Sequence, residues 1–428
     1  MSARRSKIFL AAILTCAFVL RLASILLIPT SPTSDFWSYF QRAASLADKG
    51  IYDAMVGRPD ASYPPAYPLL LSVVFRLPVD RLLGAKLTNV GLGVVAVVLI
   101  FYITQSLVGE SAGLVAAAIL AVSPTQALLP ILIASENLFT PLLFAWILLI
   151  ISMPRSTRTA FAAGLITGVL TLTRAIAVVL PLPWALAALS GKPGLRRFIA
   201  GLAAIGLGLA ATLTPWAIRN AHTLGRPIFL TSTAGINLFI GNNPNAAGTW
   251  YQWTEDIETY DPDFTTKSIA EQDRIARNIA FRWLVQNPLD FMRLYLKKLA
   301  SMFANDQFVI DAGITAKAVS PPWPPIDALP SGHLLRSNPI PLILATNAYY
   351  WSLTVLQALG LAVILSKWRH LTPHKQAHWM LIISAALCFP IASAIFIASS
   401  RFRWPMSDLL IPIAALALCT TIPIRRKL

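Results

Sequence analysis

The feature that most constrains this chain is the recurrence of long apolar runs. Residues 8–28, 85–106, 112–132, 136–152, 160–173, 175–190, 198–217, 339–366, 377–399 and 405–422 are dominated by aliphatic and aromatic side chains. A helix crosses bilayer hydrocarbon in about 20 residues, and most of these runs approach that length. The remainder cannot clothe a water-soluble fold: 56% of the 428 residues are apolar, 13% are charged, and the mean hydropathy is +0.63. The expected class is an all-α polytopic membrane protein with about ten transmembrane helices, which excludes a soluble enzyme or a disordered chain. The net charge of +16 does not point to nucleic acid, because the basic residues form short clusters between apolar runs. Such clusters act as topology signals and headgroup contacts. Cys16, Cys388 and Cys419 lie inside apolar runs, so neither a disulfide nor a zinc site is expected.

Arg4, Arg5 and Lys7 precede the first run, which is longer than a typical signal-peptide core and lacks an A-x-A site. It reads as a retained signal anchor with the N-terminus in the cytoplasm. Ten spans return the C-terminus to that side. Cytoplasmic segments then hold Arg155 and Arg158; Lys192, Arg196 and Arg197; Lys367, Arg369 and Lys375; and Arg425, Arg426 and Lys427, with Glu110 as their one acid. This positive-inside pattern places the chain in the inner (plasma) membrane with its large loops toward the periplasm. The run Pro64–Leu77, PPAYPLLLSVVFRL, is too short for a span and suits an interfacial helix within a first outer loop, 29–84. A second outer region, 219–338, carries 11 of the 19 acidic residues. The organisation is a transmembrane module over 1–218, an extracytoplasmic subdomain over 219–338 and C-terminal spans over 339–428. Within the subdomain, Ser268-Ile269-Ala270-Glu271 is a capping-box pattern, and Asn287-Pro288 ends the helix it starts. Leu289–Phe303 reads as a basic amphipathic helix on lipid headgroups, and Ser320–Pro325 as a stiff extended linker.

Asp35 follows the first span in Ser34-Asp35-Phe36-Trp37-Ser38-Tyr39. It is either the N-cap of a surface helix, which lowers its pKa and weakens it as a base, or a free carboxylate if Thr33 or Ser34 caps instead. Glu136 opens the fourth span, where an acid suits the helix dipole but is costly at the edge of hydrocarbon, the mark of a functional candidate. The span count puts both acids on the outer side, where Arg174, Arg219, Arg401 and Arg403 also fall. Each arginine can snorkel to the interface. Outward arginines on a chain that otherwise keeps its basic residues inside point to an anionic ligand, and guanidinium matches phosphate. Asp408 is an alternative, structural partner for Arg403. Asp261-Pro262-Asp263 reads as a turn, and His374 and His378 as solvated. No phosphate-binding loop or G-x-S-x-G motif is present.

The chain resembles membrane glycosyltransferases of the GT-C superfamily, most closely the bacterial protein O-mannosyltransferase-like and aminoarabinose-transferase-like branch. The resemblance rests on motifs in order along nearly the whole chain. They are Asp35 with Tyr39 and Ala43-Ala44; Tyr63-Pro64-Pro65-Ala66-Tyr67-Pro68; Ser135-Glu136; Leu172-Thr173-Arg174; and Pro215-Trp216-Ala217-Ile218-Arg219-Asn220. Gly235-Ile236-Asn237-Leu238, Gly241-Asn242-Asn243-Pro244 with Gly248, and Arg401-Phe402-Arg403-Trp404-Pro405 complete the series. The resemblance implies a GT-C fold with two outer loops containing interfacial helices. It also implies transfer of a sugar from a polyprenyl-phosphate donor to a lipid, glycan or protein acceptor on the extracytoplasmic face. Asp35 and Glu136 take the catalytic positions. Tyr63, Pro64, Pro65, Tyr67, Arg174, Arg219, Asn220, Asn242, Asn243, Arg401 and Arg403 are the expected substrate contacts. Phe36 stands where many members carry a second acid, and Tyr63 where a lysine often precedes the Pro-Pro pair; these departures leave a divalent metal unsupported and no cofactor is assigned. The expected reaction is inverting single displacement with Asp35 as base, Glu136 orienting, and Arg219 with Arg401 or Arg403 on phosphate. The competing readings are a lipid-linked sugar flippase or transporter, against which the sequence shows neither an inverted repeat nor a pair of broken spans, and a non-catalytic scaffold.

Overall fold

A computed structural model describes residues 3–55, 58–153, 156–191, 194–315 and 333–421. Arg155, Lys192, Arg425, Arg426, Lys427 and the Ser320–Pro325 segment lie outside the described residues. All ten apolar runs are largely helical over their described residues, and the strands among the described residues are a two-stranded antiparallel ladder, Asp53–Met55 with Arg58–Pro59, beside an isolated Thr249–Ala398 bridge. Five helices are long and apolar enough to cross a bilayer alone: Arg4–Leu27, Arg81–Leu107, Leu195–Leu224, Ile340–His370 and Pro373–Ser393. Two further runs reach that length only as bent pairs, Glu110–Val122 with Pro124–Ile131 (57°) and Ser400–Leu409 with Ile411–Thr420 (48°). Glu136–Ser152, Thr157–Thr173 and Ala175–Ser190 are shorter. Length and composition thus support up to seven spans among the described residues, against the ten expected.

The bends correct the expectation that broken spans are missing. Each has a proline at or just after its break, Pro124 and Pro412, which removes a ladder donor and ends the preceding turn. Ser123 caps the helix after the first break by accepting the Gln126 N–H. Ser123, Leu409 and Ile411 at the breaks are buried, and irregular backbone is tolerated at membrane depth where protein covers it.

The main core is formed by Phe139, Phe144 and Trp146 of the Glu136–Ser152 helix, Leu381, Ile382 and Phe389 of the Pro373–Ser393 helix, and Ile100 and Ile413. Helices in lipid gain little from hydrophobic burial against one another, so close approach through small residues matters more. Gly164 and Gly208 supply it between the Thr157–Thr173 and Leu195–Leu224 helices. A Cβ on Gly164 would strike the Ile205 carbonyl, and one on Gly208 the Phe161 carbonyl.

The first outer loop contains the Ser34–Lys49 helix, the ladder and the Ala66–Val74 helix. Gly50 ends the first of these at φ 69°, its N–H donating to the Leu46 carbonyl. The second helix is about 14 Å long and cannot cross a bilayer. It buries Tyr67 and Leu71 and exposes Leu69 and Val73, as an interfacial helix should. In the second outer region, the Ser268–Glu271 capping box is formed and Asn287 closes the Ile269–Gln286 helix. Phe239, Ile257, Phe264, Ala276 and Ala280 make its own small core. This region is tied to the C-terminal spans by Ala398 N–H donating to Gly248 O (2.9 Å) and Asn242 Nδ2 donating to Ile395 O (2.8 Å). Gly241 lies against the Phe396 carbonyl, where no side chain fits.

Candidate active site

Asp35 stands in the first turn of the Ser34–Lys49 helix but does not cap it. Thr33 is at the cap position and makes no side-chain capping bond. Ser34 adopts φ 50°, a left-handed conformation that side chains rarely take. The Asp35 carboxylate is therefore free of its own helix, and it accepts from the Tyr63 hydroxyl at Oδ1 (2.7 Å) and from Arg401 Nη2 at Oδ2 (2.8 Å). Burial by itself would raise the Asp35 pKa, but Arg401, Tyr63 and Arg174 outweigh it and hold the carboxyl below its ordinary value.

Glu136 opens its helix directly after Ser135. Its Oε1 lies 2.5 Å from Arg174 Nη1 and 3.9 Å from Arg401 Nε. Arg174 leaves the Thr157–Thr173 helix in extended backbone, which turns its side chain back toward Ser135, whose Oγ accepts from it at 3.3 Å. The Tyr39 hydroxyl donates to the same Ser135 Oγ (3.3 Å). Arg401, on the Ser400–Arg403 turn, stacks over Phe308 at 4.8 Å and Phe402 at 5.3 Å, and Arg174 stands over Phe402 at 5.5 Å. Tyr39 meets Tyr63 and Tyr67 edge-on, and the Tyr67 hydroxyl donates to Asn89 Oδ1 (2.8 Å).

Residues from five distant stretches thus form one charge cluster with two carboxylates and two guanidiniums. The Asp35 side chain is 31% exposed and that of Glu136 5%, so Asp35 is the acid within reach of a ligand. Arg401 lies between the carboxylates where a divalent cation would bridge them, and no group of three or more His, Cys, Asp or Glu that could hold a metal occurs among the described residues. No step below is routed through a metal.

The other expected contacts fall outside this cluster. Arg219 donates to the carbonyls of Asp60 (2.8 Å) and Tyr52 (2.6 Å) and to Asn220 Oδ1 (2.9 Å). It pins the first outer loop from behind, because the Tyr52 hydroxyl in turn bonds the Tyr63 carbonyl (2.8 Å) and reaches that of Pro64 (3.4 Å). Pro65 precedes the Ala66–Val74 helix at its cap position. Asn220 donates to Ile228 O, and Asn243 to Phe239 O and the Tyr251 hydroxyl. Asn242 donates to Leu238 O and Ile395 O and accepts from Lys298 Nζ (3.0 Å). Arg403 pairs with Asp306 (3.1 Å) rather than Asp408, whose Oδ2 accepts from Gln126 Nε2 (2.8 Å). His378 is buried, with its ring 4.1 Å from that of His374, which corrects its reading as solvated. Sequence reasoning missed Asp306, the buried Arg42–Asp60 pair (2.7 Å) and the fully buried Lys298. Asp60 lies three residues before Tyr63-Pro64-Pro65 and Asp306 just past an amphipathic helix. Nothing in either stretch separates them from solvated loop acids.

Comparisons with known proteins meet the expected fold. A family model described as dolichyl-phosphate-mannose-protein mannosyltransferase matches residues 62–218, a stretch that includes Tyr63, Pro64, Pro65, Glu136 and Arg174. The archaeal oligosaccharyltransferase AglB from Archaeoglobus fulgidus, in complex with an inhibitory peptide and a dolichol-phosphate, superposes with a TM-score of 0.54 at 14% identity, over 98% of this chain and 51% of that one. The same oligosaccharyltransferase in complex with Zn and sulfate gives 0.53 at 14%, over 96% and 49%. ArnT from Cupriavidus metallidurans bound to undecaprenyl phosphate gives 0.42 at 14%, over 98% and 79%. No curated protein sequence matches the chain. The chain spans about half the length of the archaeal oligosaccharyltransferases it resembles. It is a multi-pass, helical membrane protein whose fold is like that of the archaeal oligosaccharyltransferase.

Proposed function

We propose that this GT-C-fold membrane protein is a glycosyltransferase that moves a sugar from a polyprenyl-phosphate donor to an acceptor hydroxyl on the extracytoplasmic face of the inner membrane, with both termini cytoplasmic. The observation that carries the reading is Arg401 held between Asp35 and Glu136, with Arg174 on the far side of Glu136. Two guanidiniums beside a reachable carboxylate supply what the reaction needs: charge for a departing phosphate and a base for the incoming hydroxyl. The acceptor oxygen attacks the anomeric carbon as its proton passes to Asp35. The bond from that carbon to the phosphate oxygen breaks, and polyprenyl phosphate leaves with the electron pair and the added charge. Arg401 and Arg174 meet that charge, and Glu136 keeps both guanidiniums in place. The Tyr63 hydroxyl on Oδ1 orients Asp35. Arg219 and Arg403, engaged elsewhere, are left out of phosphate binding, and of the Tyr63-Pro64-Pro65 stretch and Tyr67 only Tyr63 contacts Asp35, the other three being buried behind it.

Deleting the gene, profiling envelope lipids, glycans and proteins by mass spectrometry, and complementing with wild type or Asp35→Asn tests the reading. Loss of one sugar mass from one acceptor, restored by wild type alone, supports it and names both substrates. Restoration by Asp35→Asn would sink the base assignment. A second reading, a lipid-linked sugar flippase, draws on the two broken spans meeting at Gln126 and Asp408. Accumulation of a lipid intermediate on one leaflet without any glycan change would favour it.

A further inference from the structure

The Ile269–Gln286 and Pro288–Phe303 helices of the second outer region are not among those apolar enough to cross a bilayer. Even so, Phe281, Val285, Leu289, Met292 and Leu296 each expose 52–74% of their surface. They recur every three or four residues, Phe281 and Val285 on the first helix and Leu289, Met292 and Leu296 on the second, which puts each set on one face of its own helix. Exposed basic residues follow three of them directly: Arg282, Arg293 and Lys297. An apolar row with a basic row beside it is the pattern of a helix seated in an anionic lipid interface, and a contiguous exposed apolar stripe signals a binding surface.

The fold fixes what this stripe borders. Tyr295 donates from its hydroxyl to the Ile391 carbonyl (3.0 Å) near the end of the Pro373–Ser393 span. Leu387, Ile391 and Ile395 are 40–50% exposed there at four-residue spacing. The Pro288–Phe303 helix therefore meets the end of the Pro373–Ser393 helix beside an exposed apolar face, the kind of surface that faces lipid near the end of a span. Beside the stripe, a groove of about 250 Å³ is lined by Asn243, Trp283, Asp290, Arg293 and Lys297 among others. Arg293 donates to Asp290 (3.1 Å), and its fork retains further N–H donors.

We propose that this helix pair is a docking surface for the anionic outer leaflet, with a lipid headgroup phosphate between Arg293 and Lys297 in the groove and its chains along Leu289, Met292 and Leu296. The assignment is separate from the transfer chemistry, since none of these residues belongs to the Asp35 cluster. Lipid retention by the detergent-extracted full chain, read by native mass spectrometry, tests it. Wild type should retain phosphatidylglycerol over phosphatidylcholine, and inorganic phosphate should not displace it. Arg293→Gln with Lys297→Gln should cut phosphatidylglycerol retention about 30-fold, as expected for two basic contacts at an anionic surface. Equal retention by the variant, or of both lipids by wild type, would overturn the proposal, as would loss of a protein partner with lipid binding unchanged. A spin label at Leu296→Cys, with the native cysteines replaced by alanine, gives an independent reading. It should be reached by oxygen more readily than by a polar nickel chelate, and the reverse would also overturn the proposal.

Discussion

Arg401 and Arg403 stand two residues apart on one turn and belong to opposite kinds of buried charge. Every face of Arg403 is occupied. It donates to the carbonyls of Met302 (2.8 Å) and Asn305 (2.9 Å), to Ser407 Oγ (3.1 Å) and to Asp306 (3.1 Å), and it lies over the Tyr350 ring at 3.7 Å. Asp306 in turn accepts from Trp404 Nε1 (2.7 Å) and Thr125 Oγ1 (2.6 Å). The Arg401 cluster is held by fewer neutral partners: Arg401 pairs with Asp35 (2.8 Å) and faces Glu136 Oε1 at 3.9 Å, and Glu136 pairs with Arg174. A charge fixed by many neutral and ionic partners holds a fold together. A charge held mainly by another charge, with guanidinium N–H groups left over, can be turned toward a ligand.

The strongest way to break this contrast is to remove each arginine. Loss of Arg403 leaves Asp306 buried beside Asp408 without its counter-charge, at a cost of about 3–5 kcal/mol. Arg403→Leu should therefore lose most of its folded, monodisperse yield on size exclusion, whereas Arg401→Leu should keep its yield and lose transfer. Equal collapse of both would erase the distinction. Next in size, Arg174→Gln should lower the transfer rate by about 10²–10³-fold with the fold retained, as for removal of one donor to developing charge. A smaller effect has the opposite sign. Asp35→Asn frees Arg401 from its carboxylate, so binding of polyprenyl phosphate should tighten several-fold even as transfer stops; weaker binding would mean that Asp35 only positions the arginine.

The last contrast is in pH. The Asp35 pKa is held down, so the stability it lends is full above the ordinary carboxylate range and is lost only as pH falls through its lowered value. Lys298 runs the other way. It is fully buried with Asn242 Oδ1 3.0 Å from its ammonium, and burial pushes its pKa down to about 7. Between pH 7 and the ordinary lysine range the unfolded chain holds a proton that the folded one has released, so stability should rise with pH across that window. Thermal unfolding of Lys298→Met should lack this rise, and an unchanged slope would place the titration elsewhere.

Several site residues were legible because their types are costly where the sequence puts them. Glu136 at the start of an apolar run, and Arg174 and Arg401 at the ends of such runs, need a reason to be there. Asp35 was ambiguous, since an acid in a first helical turn reads equally as a cap; the left-handed Ser34 and the Arg401 contact, 366 residues away in sequence, decide between the two. Arg219 and Arg403 show the limit of the same argument. They carry the same signal as Arg401, and only their partners, backbone carbonyls in one case and Asp306 in the other, show them tied to protein.

By itself the sequence determined that this chain is a helical membrane protein, where its apolar runs lie, and which charged residues required explanation. Apolar length, proline position and capping act over a few residues and are written locally. Only the tertiary structure decided which carboxylate meets which guanidinium, that the broken spans meet at Gln126 and Asp408, and that Tyr295 meets the end of the Pro373–Ser393 helix. Those outcomes depend on contacts between residues tens to hundreds of positions apart. In a low-dielectric interior a displacement of a few ångströms separates a saturated ion pair from one that is open to a ligand.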